Sequence, residues 1–544
     1  MKCSSVDFHE LPGQNALFLA YIGHLDSIKG LYASSAPSPS TDLLKKRVET
    51  VLAQDRLPRR LLVESLRASY ARMGLEGPED QLEKLGNPET VAVVTGQQVG
   101  LFGGPALTIF KAATAISAAR FLSDLGLPAV PVFWLASNDS DFEEVRRTHF
   151  VNRAGELIDL EVPDLRPREE QMAGTVGLQS VSQCFDLLTS PEQGFDISES
   201  VLSLLRTTYS PTSDFRRAFG TLLSHLFKGE GLVLFDPLSS LDASRLTSFL
   251  APVIERRDEL VEASIERVEE IQRRGFAPQV KIGESETFLF WQDGKYRYKL
   301  DYQSGKFRAR GLPSIHFTAT ELLSQIGTGE ARVSPSALLR PVLQEYLFPV
   351  AFAVTGPAET SYYAQVGSLA EFWNLELSAL PRSGFTLVDR KCQRLLEQYG
   401  LDPCDVMNAA GDSLLERILL QEKEGEALTS MSVVTDKVRE QLEYLRQSVS
   451  PQDHTIADML ETSERKILYQ LQKVRNRFIL NSTRRREDLT RHVRSLESRL
   501  IPKGKSQERV INFSYFLSEG GPETIRTLLE TIEPFQPAHR ILHL

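Results

Sequence analysis

Residues 91–136 carry the pattern that most restricts how this chain can fold. An apolar, β-branched run at 91–95 is followed by a glycine-rich segment, an alanine-rich stretch with helical spacing, and a second apolar run at 129–136. Short apolar runs of this kind are typical of strands that are buried on both faces. A strand, a glycine-rich turn, a helix and a strand form a βαβ unit, in which the two strands lie parallel. The sequence therefore predicts an α/β fold with a Rossmann-type, doubly wound parallel core.

Further patterns divide the chain into four predicted regions. Apolar runs at 231–237 and 350–355 add strands to the core. Alternating residues around Asp293 and Gly294 predict a β-hairpin within the second of two insertions. The regions are a helical N-terminal segment packed on the core (1–90), the core itself (91–404) with insertions at about 150–220 and 275–330, an α-helical coiled-coil domain (405–505), and a C-terminal segment that returns to the core (506–544).

The coiled coil is predicted from residues 456–500. This stretch lacks proline and glycine, and its apolar residues recur at spacings of three and four, which is typical of a coiled-coil seam. A single helix of this length would extend about 65 Å. The preceding helix, which we expect to break at Ser448–Pro451, is too short to cover it. Because soluble proteins avoid large exposed apolar surfaces, we expect a homodimer through these helices.

The composition excludes several classes of protein. The net charge is −10, whereas a protein that binds nucleic acid presents a basic surface. The first residues have no apolar stretch typical of a signal peptide, and no run of about 18 apolar residues could cross a membrane. The four cysteines lack C-x-x-C spacing and the nine histidines lack H-x-x-x-H spacing. We therefore expect a cytoplasmic protein with no nucleic-acid or membrane partner and no protein metal site.

The first candidate site is the glycine-rich segment after the first core strand. Ligands of open α/β sheets bind at the carboxyl ends of the strands. Glycines let the backbone approach a ligand, and a helix N-terminus favours an anion. The alternative is a glycine turn with polar filler, since the segment is neither a Walker A loop nor a strict G-x-G-x-x-G. The candidate binding residues are Thr95, Gly96, Gln97, Gln98, Gly103, Gly104 and Lys111.

The second candidate site comes directly after the second core strand. Asn138, Asp139 and Asp141 stand there, and acidic side chains at a strand end can hold an ammonium group, a hydroxyl or Mg²⁺. The alternative is a helix N-cap, a position at which Asp and Asn are favoured. The residues alone do not separate these two interpretations.

The third candidate site follows the strand at 350–355. Glu359 could accept a hydrogen bond from a substrate amine or a sugar hydroxyl, and Tyr362 and Tyr363 could pack against a ring. The alternative is a turn leading into a helix N-terminus, where glutamate is favoured by the helix dipole.

In this order, the segments resemble the bacillithiol-biosynthesis cysteine ligases of the BshC family. The family's T-G-Q-Q-x-G-L-x-x-G-P stretch with a downstream lysine corresponds to Thr95–Pro105 and Lys111. Its P-V-F-W-[IL]-A run, followed by the acidic motif E-D-H-D-F-x-E, corresponds to Pro131–Ala136 and Asn138–Glu144.

Two later motifs extend the resemblance toward the C-terminus. An R-P-x-x-Q-[DE] segment, which leads to G-P-x-E-x-x-Y, adds Arg340 and Gln344 to the candidate binding residues and includes Glu359. A late Q-E-R-x-x-N corresponds to Gln507–Asn512. The matched motifs run from about residue 90 to the C-terminus.

The resemblance implies both a fold and a reaction. The implied fold resembles the catalytic core of class I aminoacyl-tRNA synthetases, with two connective insertions and a dimeric coiled coil. The implied reaction adds L-cysteine to glucosaminyl-malate as an amide, in the last step of bacillithiol synthesis. ATP is the expected cosubstrate. The positions of Asp139, Asp141 and Glu359 at strand ends, and not the resemblance, make them the candidate catalytic residues. Asp139 and Asp141 are predicted to orient the substrate amine or a metal such as Mg²⁺, and Glu359 is predicted to bind polar groups of the second substrate. The motifs H-I-G-H and K-M-S-K-S are absent, which disfavours a tRNA synthetase.

The acidic motif departs from the family pattern. Asn138, Asp139, Ser140 and Asp141 stand where the family has E-D-H-D, so one carboxylate and the histidine are absent. Any proton transfer by that histidine is lost or moved to another residue. An alternative function is therefore a dimeric nucleotide- or metabolite-binding protein on the same fold with impaired catalysis.

Overall fold

A computed structural model describes most of the chain. The described residues are 2–34, 40–54, 58–163, 168–240, 243–409, 412–422, 424–449, 454–484 and 486–544. They form two compact units. The first comprises Met1–Asn152, Ile158–Asp389 and Gln507–Leu544, and the second comprises Arg153–Leu157 and Arg390–Ser506.

The N-terminal region of the first unit is mostly helical, but it begins with a strand that we did not predict. Its elements are β1 (Lys2–Val6), α1 (Ala16–Ile22), α2 (Thr41–Leu52), α3 (Arg59–Met73) and α4 (Glu79–Gly86). β1 pairs antiparallel with the last strand of the chain, His539–His543. Its sequence, KCSSV, has no apolar run. A pairing across almost the whole chain makes this segment a strand, so its local pattern could not reveal it.

The next region supplies three core strands and the predicted first insertion. Its elements are β2 (Val91–Gln97), α5 (Leu107–Asp124), β3 (Ala129–Leu135), α6 (Phe142–Val145), β4 (Arg147–Val151), β5 (Leu157–Glu161), α7 (Ser182–Thr189), α8 (Glu199–Thr208), α9 (Phe215–Leu226), β6 (Val233–Phe235), α10 (Pro237–Ser240), α11 (Ala243–Glu255) and α12 (Arg257–Arg273). β4 and β5 form a two-stranded sheet of their own. The inserted residues therefore leave the core sheet after β3 and return to it at β6.

The predicted hairpin around Asp293 and Gly294 is confirmed, and it belongs to a five-stranded antiparallel sheet. The elements are β7 (Leu289–Asp293), β8 (Tyr296–Gln303), β9 (Lys306–Ala309), β10 (His316–Phe317), α13 (Ala319–Thr328) and β11 (Arg332–Pro335). The strand order is β10-β9-β8-β7-β11. This sheet is separate from the parallel core. Its strands β7 to β10 lie within the predicted second insertion, whereas β11 lies just beyond the predicted end at about 330.

The parallel core is completed by the elements that follow. They are α14 (Arg340–Leu347), β12 (Val350–Thr355), α15 (Pro357–Ala370), β13 (Ala379–Pro381) and β14 (Gly384–Val388). The core order is β13-β12-β2-β3-β6, and each of its pairings is parallel. This doubly wound order confirms the predicted fold class. The direction of strand addition reverses between β2 and β12, so ligands are expected at the carboxyl ends of these two strands.

Helix α5 is buried beside β2, so its one lysine needs hydrogen-bond partners inside the protein. The helix is buried along most of its length, and its residues Ala115, Ala118 and Leu122 share an apolar cluster with Val93 and Phe352. Buried polar groups are stable only when they have hydrogen-bond partners. The one lysine of this helix, Lys111, is therefore expected to point to such partners.

The second unit is helical. Its helices are α16 (Arg390–Tyr399), α17 (Pro403–Asn408), α18 (Asp412–Leu420), α19 (Gly425–Val449), α20 (His454–Arg484) and α21 (Glu487–Leu500). The longer segment of this unit begins at Arg390, and α16 and α17 pack against α21. Of the helix break expected at Ser448–Pro451, residues 450 and 451 lie outside the described residues.

The single helix predicted over 456–500 is wrong, because two helices replace it. The seam has no apolar residue at 481–488, and Arg486 in this gap has non-helical angles of φ −134° and ψ 67°. Beyond the gap, Leu489, Val493, Leu496 and Leu500 are buried. Before it, Ile467 and Val474 are 40% and 58% exposed. The two halves of the seam therefore differ, because the second is buried in its own unit whereas the first leaves Ile467 and Val474 exposed.

The chain then returns to the first unit. The last elements are α22 (Phe513–Gly520), α23 (Glu523–Thr531) and β15 (His539–His543). β15 lies between β1 and β14, antiparallel to the first and parallel to the second. The two ends of the chain thus meet beside the core. Within the described stretches, no helix has both the length and the apolar character needed to cross a membrane.

Candidate functional site

Side chains from the first and third predicted segments meet between the carboxyl ends of β2 and β12. The Nζ of Lys111 donates to the Gly96 carbonyl at 2.9 Å and to Gln97 Oε1 at 3.1 Å. The same Nζ lies 2.5 Å from Glu359 Oε2. A lysine ammonium has three protons to donate, so these partners occupy all of them. Lys111 therefore holds Glu359 against the end of β2 and has no proton left for a ligand.

One carboxylate oxygen of Glu359 has two close partners, whereas the other has only a longer contact with Arg340. Oε2 accepts from the Gly356 amide at 2.9 Å as well as from Lys111. Oε1 lies 3.8 Å from Arg340 Nη2. Burial acts to raise the pKa of Glu359, but the charges of Lys111 and Arg340, together with the Gly356 amide, hold it below its usual range. The carboxylate is therefore ionised at neutral pH.

Arg340 and two tyrosines join Gln97, Lys111 and Glu359 to form what we call the cluster. The Nη2 of Arg340 donates to the Tyr362 hydroxyl at 2.8 Å. The rings of Tyr362 and Tyr363 lie 5.7 Å apart, and burial raises the pKa of Tyr362 to about 12. Tyr362 therefore keeps its proton and can donate a hydrogen bond. Gln344 is buried in the same helix as Arg340.

The second predicted segment joins the cluster through Asp139. Its Oδ2 accepts from Gln98 Nε2 at 3.1 Å, and its main-chain oxygen accepts from the Ala173 amide at 2.7 Å. Asn138, half-buried, stands beside it. Gln98 therefore links the end of β2 to the loop after β3, as the predicted convergence of strand ends requires.

Asp141 is not brought into this cluster. Its side chain is exposed and accepts from the Glu144 amide at 3.4 Å as the N-cap of α6. This is the alternative interpretation that the sequence left open for the segment. The geometry therefore gives no support to the catalytic role predicted for Asp141, whereas Asp139 keeps its place.

The glycine-rich loop is built differently from a phosphate-binding loop. A Cβ on Gly96 would come within 2.7 Å of the Trp134 carbonyl, so the close pairing of β2 with β3 requires glycine there. The amides of Gly103, Gly104 and Ala106 donate to Tyr209 Oη, Leu101 O and Ile511 O, respectively. The predicted contact of these amides with an anion would break those bonds. The loop therefore presents glutamine side chains, and its Gly103 and Gly104 are structural.

Thr95 is also structural. Its hydroxyl donates to the Val354 carbonyl at 3.2 Å and ties β2 to β12. It thereby sets the spacing of the two strands whose ends carry the cluster.

Four residues of the cluster and its support were not predicted as site residues. The amide of Asn512 donates to the carbonyls of Phe102 and Gly104 at 3.0 and 2.9 Å, and so fixes the loop. Arg382 pairs with Glu508 through two contacts of 2.8 and 2.6 Å. The motif Q-E-R-x-x-N was the available signal for Glu508 and Asn512. Their partners lie more than a hundred positions away, so the sequence could not give their structural role.

Arg297 is the fourth residue missed by sequence reasoning. It lies on β8 and is buried, and the charges of both Asp139 and Arg340 act on its pKa. No sequence pattern pointed to it, because an arginine in a hairpin is normally a solvated residue. The second insertion thus contributes a cation to the neighbourhood of Asp139.

The cluster can bind a ligand that carries both kinds of charge. Asp139 and Glu359 suit an ammonium group or hydroxyls, whereas Arg297 and Arg340 suit a carboxylate or a phosphate. The described residues contain no group of three or more His, Cys, Asp or Glu side chains placed to hold a metal ion. The arrangement is that of a site for polar, multiply charged small molecules.

Comparison with known proteins gives consistent matches over the whole chain. The family model for the bacillithiol biosynthesis BshC N-terminal Rossmann-like domain matches residues 1–382, and the model for the BshC C-terminal coiled-coil domain matches residues 385–544. A protein of Solibacter usitatus named putative cysteine ligase BshC is 30% identical over 549 residues, which cover 100% of both chains. Relatives with the same name in Salinibacter ruber and Heliobacterium modesticaldum are 29% and 31% identical, and cover 97% and 92% of this chain and 96% and 93% of their own.

Proposed function

Because the chain belongs to the bacillithiol biosynthesis BshC family, we propose that it is a cytoplasmic cysteine ligase that joins L-cysteine to glucosaminyl-malate. The bond formed is an amide between the cysteine carboxyl and the glucosamine amine, and the reaction is the last step of bacillithiol synthesis. The observation that carries this proposal is the placement of Glu359, held by Lys111 at the switch point of the sheet with Oε1 turned toward Arg340.

The cluster offers a division of labour for amide formation. The attacking amine must be neutral, and a carboxylate within hydrogen-bond distance can orient it and accept its proton. Glu359 takes this role, and Asp139 binds amine or hydroxyl groups of the substrates from the opposite loop. Gln97, Gln98 and the Tyr362 hydroxyl supply neutral hydrogen bonds that fix orientation without changing charge.

ATP remains the proposed cosubstrate, because a carboxylate must be activated before it can form an amide. Its phosphates would contact side chains of the cluster, since the loop amides at Gly103, Gly104 and Ala106 have partners within the protein. Asp139 would be the carboxylate best placed to hold Mg²⁺, which would supply positive charge to the phosphates and needs only one or two protein carboxylates in nucleotide sites.

A homodimer is part of the proposal. Ile467 and Val474 lie seven positions apart on α20 and remain exposed in the single chain. Seven is the repeat of a left-handed coiled coil, so one face of α20 presents a seam that a second copy can cover.

The test is mass spectrometry of the thiol product. Purified protein is incubated with L-cysteine, glucosaminyl-malate and ATP, and each component is omitted in turn. We expect the mass of the cysteinyl amide only in the complete mixture. Product formed without ATP would remove the cosubstrate from the proposal. The absence of product in every mixture would overturn the proposal itself.

A second candidate function is a nucleotide- or metabolite-binding protein with impaired catalysis. Asn138 and Ser140 replace an acid and the histidine of the family motif, and Asp141 caps a helix instead of facing the cluster. Under this alternative, calorimetry detects binding of the substrates but no thiol product appears.

A further inference from the structure

Arg297 carries a buried charge that is held in place by neutral partners only. The residue is 8% exposed. Its Nε donates to Ser334 Oγ at 3.0 Å and its Nη2 to the Pro335 carbonyl at 2.6 Å. The guanidinium carbon lies 3.9 Å from the centre of the Phe290 ring. Within the described part of the chain, no acidic side chain forms an ion pair with Arg297.

Such an arrangement is unfavourable for the protein alone. Burial lowers the pKa of Arg297 to about 10, an effect that the charge of Asp139 opposes and that of Arg340 reinforces. A group with this pKa is still charged at neutral pH. Burying a charge without an opposite charge destabilises a fold, and an apolar side chain would avoid this cost. A buried cation whose orientation is fixed, but whose charge is not paired, is what an anion-binding site requires.

The net charge of the surrounding side chains also favours an anion. The cluster holds the cations Lys111, Arg297 and Arg340 against the carboxylates Asp139 and Glu359, which leaves one positive charge in excess. Glu359 is already engaged by Lys111 at 2.5 Å. The Nε of Arg340 is buried without a hydrogen-bond partner. Two guanidinium groups thus have donors that no described protein group uses.

We propose that Arg297, with Arg340, binds a carboxylate of the acidic acceptor substrate. The planar guanidinium fork matches a carboxylate through two parallel hydrogen bonds, and stacking on Phe290 fixes its plane. The second insertion then contributes specificity, because it places a cation where an acceptor without a carboxylate would leave the charge unpaired. The identity of the acceptor rests on the proposed function. The carboxylate site itself does not, and a phosphate is the other oxyanion with the same chemistry.

The test measures binding without turnover. L-Malate, inorganic phosphate and ADP are titrated separately by calorimetry into the full-length protein, with no cysteine present. We expect L-malate to bind, and Arg297→Gln to weaken its affinity by roughly tenfold or more, as expected for the loss of charge-assisted hydrogen bonds. Arg332→Gln removes an exposed arginine from the same sheet and should bind like the wild type.

Several outcomes would overturn the assignment. They are no L-malate binding by the wild type, equal binding by Arg297→Gln, and a loss for phosphate or ADP but not for L-malate. If Arg297→Gln does not fold, Arg297→Lys decides, because it keeps the charge but loses the fork. Weaker L-malate binding by Arg297→Lys supports the proposal, and unchanged binding refutes it. Arg297-dependent L-malate binding in a protein that forms no thiol product would keep this inference while overturning the ligase proposal.

Discussion

Lys111 and Glu359 form a 2.5 Å ion pair that joins the helix after β2 to the helix after β12. Their strands are neighbours at the point where the order of the parallel sheet reverses. The lysine is buried and donates its other two protons to Gly96 and Gln97 at the end of β2. The ion pair therefore fixes the position of the Glu359 carboxylate at the carboxyl ends of β2 and β12.

Replacement of Lys111 should change the effect of replacing Glu359 on the free energy of unfolding. Lys111→Met leaves Glu359 with one fewer counter-charge, so we expect a loss of about 2–4 kcal/mol in the free energy of unfolding. Glu359→Gln in the Lys111→Met background should cost less than in the wild type, with a coupling of at least about 1 kcal/mol. Urea unfolding of the four proteins measures this. Lys84→Met, which removes a half-buried lysine that donates to Ser123 and Ala129, is the control and should show no coupling to Glu359. Additive losses of unfolding free energy for the Lys111 and Glu359 variants would contradict a stabilising ion pair.

The two aspartates of the second segment should behave differently. Asp139→Asn removes a charge next to Gln98, and we expect kcat/KM for ligation to fall by about 100-fold or more with the fold retained. Asp141→Asn should leave kcat/KM within a few-fold and change stability by less than about 1 kcal/mol, because Asn is also a good N-cap. Steady-state assays and thermal melts of both variants distinguish these effects. A larger activity loss for Asp141→Asn than for Asp139→Asn would restore the role first predicted from sequence.

These contrasts mark how far the sequence could predict the site. The strand-end positions of Gln98, Asp139 and Glu359 followed from apolar runs and their order, because parallel strands bring their carboxyl ends to one edge. The choice between Asp139 and Asp141 depended on which side chain caps a four-residue helix, a local detail that both residue types allow. Arg297 depended on the packing of a separate antiparallel sheet, which no local pattern encodes. β1 was missed because a pairing across almost the whole chain decides it. The break at Arg486 differs, because the gap in the apolar seam at 481–488 is visible in the sequence.

Asn512 should be a structural residue of the glycine loop. Its side chain donates to the carbonyls of Phe102 and Gly104 and accepts from the Ser514 amide as the N-cap of α22. Asn512→Ala leaves buried carbonyls unpaired, so we expect a loss of about 2–4 kcal/mol in the free energy of unfolding. Asn15→Ala removes only a helix cap and should cost about 1 kcal/mol. Equal losses in urea unfolding would show that the loop contacts contribute nothing.

His539 should make the fold sensitive to acid. It accepts or donates one hydrogen bond with Thr386 at 2.8 Å, and burial lowers its pKa from 6.5 to about 4. The unfolded chain binds a proton on this residue between these values and the folded chain does not, so stability falls as pH drops from about 6.5 to 4. The total loss is about 3 kcal/mol. In His539→Gln this part of the pH dependence should disappear, whereas replacement of the exposed His9 by Gln should keep it. An unchanged slope in His539→Gln would contradict the assignment.

The dimer prediction rests on the exposed face of α20. The double variant Ile467→Asp, Val474→Asp places charge in the proposed seam, and we expect light scattering to give a mass near the 61.0 kDa of one chain, against twice that mass for the wild type. Gln472→Asp adds a charge at an exposed position on the opposite side of the same helix, five residues after Ile467 and two before Val474, and should remain dimeric. A monomeric wild type at micromolar concentration would refute the dimer.

The proposed role of Glu359 in amide formation is tested by comparing ligation by the wild type and Glu359→Gln under single-turnover conditions with L-cysteine, glucosaminyl-malate and ATP. Glutamine keeps the size of the side chain but cannot take a proton from the amine. We expect the thiol product to form with the wild type and at least about 100-fold more slowly with Glu359→Gln, with the circular dichroism spectra unchanged. Product formation at the wild-type rate by Glu359→Gln would show that amide formation does not use the carboxylate at the switch point of the sheet.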